Sequence, residues 1–137
     1  MDATRLAPTV GIAACLAVLG VLALPYLVVD SGGAVGTYYG TGGVNPLLTG
    51  IFALVGVIVF AAGRERRSDP SLAAGAALTL GLFGTAVTLL WAVTVPESVV
   101  VGMSTATVVE YHRWVLVVAS LGIPAAGAWF SRALGVF

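Results

Sequence analysis

The only histidine of the chain lies in the segment Glu110–Tyr111–His112–Arg113, beside one acidic and one basic residue. A carboxylate, an imidazole and a guanidinium in one segment could transfer a proton or bind a charged ligand. Glu110 and Arg113 are three positions apart and share a helix face, whereas His112 is two positions from Glu110 and lies elsewhere. The spacing therefore predicts an ion pair between Glu110 and Arg113 and no acid–base pair with His112.

Metal binding and nucleophilic catalysis need several groups that converge on one point. The chain has one histidine and one cysteine. Cys15 lies about 14 residues, or ~20 Å of helical rise, from the outer end of the first predicted helix. Cys15 and His112 are therefore not expected to meet. We predict no catalytic residue, no metal site and no cofactor, and hence a protein that is not an enzyme.

The composition indicates where these residues must be positioned. The 137 residues are 59% hydrophobic and 9% charged, and the mean hydropathy is +1.07. A domain of this size cannot bury so many apolar side chains in a water-soluble core. The formal net charge is zero, which argues against a nucleic-acid partner. The sequence predicts an integral membrane protein whose first partner is the lipid bilayer.

Four apolar runs are long enough to cross a bilayer, which takes about 20 residues each. They cover approximately residues 8–29, 46–63, 70–95 and 108–133. Helix-start signals precede three of them: Asn45–Pro46, Asp69–Pro70 and a capping box from Thr107 to Glu110. We predict an all-α membrane protein, one domain of residues 1–137 built as a bundle of four transmembrane helices.

The arginines predict the orientation of the bundle. Three segments, the N-terminus, the second loop and the C-terminus, carry five of the six arginines on one side of the membrane, and Arg113 alone lies on the other side. Because cytoplasmic loops carry an excess of arginine and lysine, both termini should be cytoplasmic in a multi-pass protein of the cell membrane.

Two loops, 30–45 and 96–107, then face outward. The first has six glycines together with Tyr38 and Tyr39, and the second is rich in β-branched residues. They could form a small cap of loops or short β-structure on the outer face, or they could be short connectors. Both interpretations stay open.

Small residues recur at helical spacing and predict close helix packing. The third predicted helix carries Ala73, Ala77, Gly81 and Thr85, and the first carries Ala13 and Ala17. Such stripes do not distinguish packing within one chain from self-assembly into a homo-oligomer.

Prolines and hydroxyls are the remaining features of the helix interiors. Pro25 and Pro124 have no N–H to donate to the carbonyls of Val21 and Ser120, so both helices should bend there. Hydroxyl side chains are expected to bond to carbonyls of their own helix.

The helix start explains most of the segment around His112. Glu110 is the third helical residue of the capping box, and Tyr111 and Trp114 suit the membrane interface. His112 is expected at the headgroup level without a local partner, so His112→Ala should have little effect. The alternative is a charged ligand site. The candidates for an outer-face interaction are Tyr38, Tyr39, Glu110, His112 and Arg113.

Four segments support a resemblance: "RLAPTVGI", "GAVGTYYGTGGVNPLL", "VIVFAAGRERRSDPSLAAG" and "VEYHRWVLV". Together with six arginines and no lysine, they resemble a family of small four-span membrane proteins of halophilic archaea. The resemblance covers nearly the whole chain. It implies a membrane location and no activity or site residues.

Two classes of function remain. The first is a non-enzymatic interaction or structural component, either an accessory subunit of another membrane protein or a self-associating one; a structural protein of an enveloped virus would have the same features. The second is a small oligomeric channel or transporter. Small multidrug transporters have four spans but use an acidic residue in the first helix, and this chain has none there.

Overall fold

Four long α-helices dominate this computed structural model, which describes residues 2–28, 39–40, 44–94 and 107–136, without the side chains of residues 25, 28 and 107–110. The helices are α1 (Ala3–Val28), α2 (Leu47–Arg64), α3 (Pro70–Thr94) and α4 (Thr107–Ala133). The described residues contain no strand, so the predicted all-helical architecture with four long helices is confirmed for them. The possible cap formed by 30–45 and 96–107 lies largely outside the described residues.

Short polar side chains start three of the helices. The Leu47 N–H donates to Asn45 Oδ1 at 2.9 Å, and the Ser71 N–H donates to Asp69 Oδ1 at 3.1 Å. These bonds confirm the two predicted caps. The helix α1 begins earlier than predicted, because the Asp2 carboxylate accepts hydrogen bonds from the backbone and the hydroxyl of Thr4. The Thr4 hydroxyl bond is also the main reason that the pKa of Asp2 is lowered.

Each helix packs antiparallel against two others, in the ring order α1, α2, α3, α4. Contacts such as Gly11 with Phe60, and Gly81 with Pro124, show the antiparallel directions. One end of the bundle, where α1 and α3 begin and α2 and α4 end, carries every arginine except Arg113. We call it the arginine end, and the opposite end the loop end.

The outside of the bundle is more apolar than a water-soluble surface allows. Leu27, Ile58, Leu72 and Val118 are each at least two-thirds exposed, and large apolar side chains are exposed on every helix. Within the described residues, four helical segments are long and apolar enough to cross a membrane. They are Ala3–Leu24, Leu47–Arg64, Pro70–Thr94 and Tyr111–Ala133. This surface suits a lipid environment and supports a membrane protein.

Glycines allow α3 and α4 to approach at backbone distance. A Cβ added at Gly81 would lie 2.5 Å from the Pro124 nitrogen, and one at Gly127 would lie 2.8 Å from the Leu78 nitrogen. No side chain fits in either position, so these two residues set the separation of the helices.

The predicted small-residue stripes differ in where they lie. Gly81 and Thr85 face α4, Ala73 lies against Gly63 of α2, and Ala77 is fully buried. Ala13 and Ala17 are exposed, so this pair does not pack against another helix of the same chain. The buried face of α1 instead contains Ala7, Cys15, Val18 and Leu22.

Candidate functional site

The described side chains among the predicted outer-face residues differ in their exposure. Tyr39 and His112 are 1% and 2% exposed, so both side chains are enclosed by the bundle and do not lie on its outer surface. Arg113 is partly exposed near the start of α4. Tyr38 and the side chain of Glu110 lie outside the described residues, and so does the predicted capping box.

His112 bonds to a carbonyl that has lost its usual helical donor. Its Nε2 lies 2.6 Å from the Val21 oxygen of α1, and because a carbonyl can only accept, Nε2 donates. Position 25 is a proline with no N–H, so the normal donor to the Val21 carbonyl is missing. The imidazole from α4 replaces that donor, which explains why a polar ring is buried here.

Aromatic rings surround this bond. The Tyr39 hydroxyl donates to the Leu22 carbonyl, next to the carbonyl that His112 uses. The Trp91 ring lies 5.6 Å from the Tyr39 ring and 6.5 Å from the His112 ring, between ring centroids. We call Tyr39, Trp91 and His112 the loop-end cluster. It ties α1, α3 and α4 to the segment that follows α1.

A second carbonyl that lacks its helical donor because of a proline also accepts a hydrogen bond from a side chain of a neighbouring helix. Pro124 cannot donate to the Ser120 carbonyl of α4, and the Thr85 hydroxyl of α3 donates to that oxygen at 3.1 Å. Gly81 lies one turn away and contacts Pro124 directly. The hydroxyl of Thr85 therefore joins α3 to α4 beside Pro124.

Hydroxyl groups also join α2 to α3. Thr49 Oγ1 lies 3.0 Å from the Gly84 carbonyl and 2.9 Å from Thr88 Oγ1, and both threonines are fully buried. The expectation that hydroxyls bond to their own helix is wrong for Thr49 and Thr85. It is confirmed for Thr79, which donates to Gly75, and for Thr94.

Arg113 differs from these groups, because its Nε is buried and has no hydrogen-bond partner among the described residues. Its guanidinium carbon lies 5.4 Å from the centre of the Trp114 ring. Trp114 also lines an open apolar groove of about 430 Å³ that follows α4, together with Tyr111, Val115, Val118 and Ala119. We call this the α4 groove.

Metal binding or nucleophilic catalysis would require suitable groups among the described side chains. The described residues contain no group of three or more histidine, cysteine or acidic side chains that could hold a metal ion. Cys15 is fully buried, and its sulfur would lie 2.8 Å from a Cβ placed at Gly56 of α2. Four of the five buried polar side chains among the described residues bond within the bundle, namely Thr49, Thr88, His112 and Ser120.

Sequence reasoning found the freed carbonyls and missed their donors. The signal was present, since Val21 and Ser120 each stand four residues before a proline. The sequence does not show that α4 packs against α1 at Val21, or that α3 packs against α4 at Ser120. Without knowledge of this pairing, the sequence suggests that His112 lies at the membrane interface and that Thr85 belongs to a packing stripe.

Comparison with known proteins gives a family and no activity. No curated protein and no solved structure matches the chain. A family of unknown function, DUF7548, matches residues 1–135, which is nearly the whole chain. The chain belongs to this family.

Proposed function

We propose that the protein is a non-enzymatic component of the cell membrane that acts by binding another membrane protein or a second copy of itself. The observation that carries the proposal is the buried Nε of Arg113, which has no acceptor among the described residues, together with the α4 groove, whose Trp114 lies beside the Arg113 guanidinium. The proposed contact surface is Arg113 together with this groove.

A buried N–H without an acceptor is costly, and native structures satisfy almost all such groups. A carbonyl or carboxylate on a partner helix would supply an acceptor for the partly exposed guanidinium of Arg113. Tyr111, Trp114, Val115 and Val118 follow the spacing of one helix face, and the first two are aromatic. Aromatic and arginine side chains are enriched at the centres of protein interfaces.

The interior supports this role over a channel or transporter. A solute path needs polar groups that are free to bind the solute, and the buried polar groups that we described hold helices together instead. Thr85 and His112 bond to proline-freed carbonyls, and Thr49 bonds to Gly84 and Thr88. No specific observation in the described residues favours transport.

The location and orientation belong to the same proposal. We place both termini in the cytoplasm, because the arginine end carries five arginines and the loop end carries one. An origin in halophilic archaea is supported by the resemblance of the four segments and by arginine without lysine.

Site-specific photo-crosslinking tests the contact surface. A photoreactive residue at Val118 lies in the α4 groove, and one at Ile58 of α2 is a matched control, since the two side chains are 69% and 67% exposed. In native membranes we expect a discrete adduct from Val118, either with a second copy or with one other protein at fixed stoichiometry. Ile58 should give no discrete protein adduct.

A second variant tests Arg113 itself. Arg113→Gln keeps a polar side chain but removes the guanidinium, so it should lower the Val118 adduct severalfold. Lipid adducts alone at both positions would contradict the proposal. Solute flux into proteoliposomes well above that of protein-free vesicles would favour the channel or transporter instead.

A further inference from the structure

A polar pocket of about 190 Å³ lies at the arginine end, where all four helices meet. Arg5 comes from the start of α1, Arg64 and Arg66 from the end of α2, Pro70 from the start of α3, and Leu134 from the end of α4. Because the apolar spans stop here, the pocket lies at the level of the lipid headgroups.

Two of the arginines in the pocket are held by neighbours. Arg64 Nε donates to the Thr9 hydroxyl of α1 at 2.8 Å, and Arg64 also pairs with the Glu65 carboxylate. Arg5 lies 3.7 Å from the same carboxylate. These contacts fix the guanidinium of Arg64, whose exposed fraction is 22%, at the wall of the pocket.

Arg66 is the cation without a counter-charge. Among the described residues it has no hydrogen bond or ion pair through its side chain, although it lines the pocket. The second acid of the pocket, Asp2, accepts its bonds from Thr4. Three arginines and two acids line the pocket, which leaves one positive charge in excess.

The backbone of Arg66 adds an independent observation. Its φ of 57° is the left-handed conformation, and it is the only described residue other than glycine with positive φ. The Arg67 N–H bonds to the Ala62 carbonyl and the Arg66 N–H to the Gly63 carbonyl, which is the helix ending where glycine is usual. Glycine would make this turn with less strain, so a strained arginine here indicates a use for its side chain.

We propose that this pocket binds a phosphate-bearing anion, with Arg66 as the main ligand and Arg64 as a fixed second donor. Guanidinium groups bind phosphate oxygens through charge-assisted, paired hydrogen bonds. The phosphate can belong to an anionic lipid headgroup or be free in solution, and the chemistry of recognition is the same. The proposal does not depend on the α4 groove, which lies at the other end of the bundle.

Two substitutions separate the pocket from the general charge of this face. Arg66→Gly removes the guanidinium and relieves the left-handed strain, so the variant should fold at least as well as the parent protein. Arg67→Gly removes the same charge from the adjacent residue, which does not line the pocket. A third variant, Arg66→Lys, keeps the charge without the paired donors.

Binding is measured on purified protein in detergent at constant ionic strength, with phosphatidylglycerol, phosphatidylcholine and inorganic phosphate as separate probes. We expect phosphatidylglycerol to bind the parent protein, with about tenfold weaker binding in Arg66→Gly, little change in Arg67→Gly, and an intermediate value for Arg66→Lys. If inorganic phosphate binds with the same dependence on Arg66, free phosphate is a sufficient ligand. If only the lipid binds, the headgroup is the source.

Two results would overturn the proposal. One is equal affinity for phosphatidylglycerol and phosphatidylcholine together with no binding of inorganic phosphate. The other is an equal loss of binding in Arg66→Gly and Arg67→Gly, which would mean that only the net charge of the face matters.

Discussion

At the scale of single residues, two prolines determine where this protein needs polar side chains. Pro25 and Pro124 each leave one carbonyl of their own helix without a backbone donor. In the bilayer interior no water is available to satisfy such a group. His112 and Thr85, each from a neighbouring helix, donate to the two freed oxygens instead. A missing backbone hydrogen bond in one helix is thus replaced by a hydrogen bond between two helices.

Loss of the His112 side chain should therefore be costly, in contrast to the mild effect expected from the sequence. We expect His112→Ala to lower the free energy of unfolding by about 2–4 kcal/mol, because it leaves a cavity and an unsatisfied carbonyl. In a Pro25→Ala background the Val21 carbonyl regains a backbone donor, so the same substitution should cost about 0.6–1.7 kcal/mol less. Unfolding in detergent measures all four proteins. Equal costs in both backgrounds would show that His112 does not replace the missing N–H.

Thr85 offers the same comparison with an internal control. Thr85→Val keeps the shape of the side chain and removes the bond to the Ser120 carbonyl, at an expected cost of about 0.6–1.7 kcal/mol. Thr79 lies on the same helix, and its hydroxyl bonds only to Gly75 of its own helix. Thr79→Val should be close to neutral in the same unfolding measurement. A Thr85→Val protein as stable as Thr79→Val would contradict the role of this bond.

At the scale of elements, α3 and α4 pack as closely as their backbones permit. This contact centres on Gly81 and Pro124, and Gly127 with Leu78 continues it one turn farther along. The proline at position 124 and the missing Cβ at Gly81 are therefore parts of one contact. Proline shapes one helix, and glycine on the other makes room for it.

Even one methyl group at Gly81 should disturb this contact. Gly81→Ala places a Cβ against the Pro124 backbone, so we expect a loss of about 1–3 kcal/mol of stability. Gly75 lies on the same helix, and a Cβ there would meet no atom within 4 Å. Gly75→Ala should be neutral or stabilise by up to about 1 kcal/mol through helix propensity. Thermal unfolding in detergent compares the two. If the variants behave alike, α3 and α4 are not in backbone contact at Gly81.

At the scale of the whole molecule, the bundle concentrates its arginines at one end. Arg5, Arg64, Arg66, Arg67 and Arg132 lie at the arginine end, and the phosphate-binding pocket proposed above lies among them. The loop end carries Arg113, the loop-end cluster and the start of the α4 groove. The proposed functions are thus separated by the length of the bundle, one at each membrane surface.

Cysteine labelling tests how the bundle is oriented. We expect single cysteines at Ser68 and Gly42 to react with a membrane-impermeant reagent from opposite sides, Gly42 from outside intact cells and Ser68 only after lysis. Cys15→Ala is the suitable background, since Cys15 is fully buried and an added hydroxyl there would lack a partner. Labelling of Ser68→Cys and Gly42→Cys from the same side would contradict the four-span topology.

The sequence by itself determined the properties that depend on local chemistry and on composition. Apolar runs of sufficient length specified the four helices, and Asn45 and Asp69 specified two of their starts, because capping requires only neighbours in the chain. The Asp2 cap was equally local, and reading the first helix from its apolar run alone missed it.

Only the tertiary structure decided which faces meet, because the hydrophobic pattern of a membrane helix does not distinguish lipid from protein. Both sides of such a helix are apolar, so Ala13 and Ala17 at the surface look like Ala73 and Ala77 inside. The same ambiguity hid His112, whose burial follows from a carbonyl 91 residues away in the chain. The pocket of the arginine end likewise exists only because four helix ends converge.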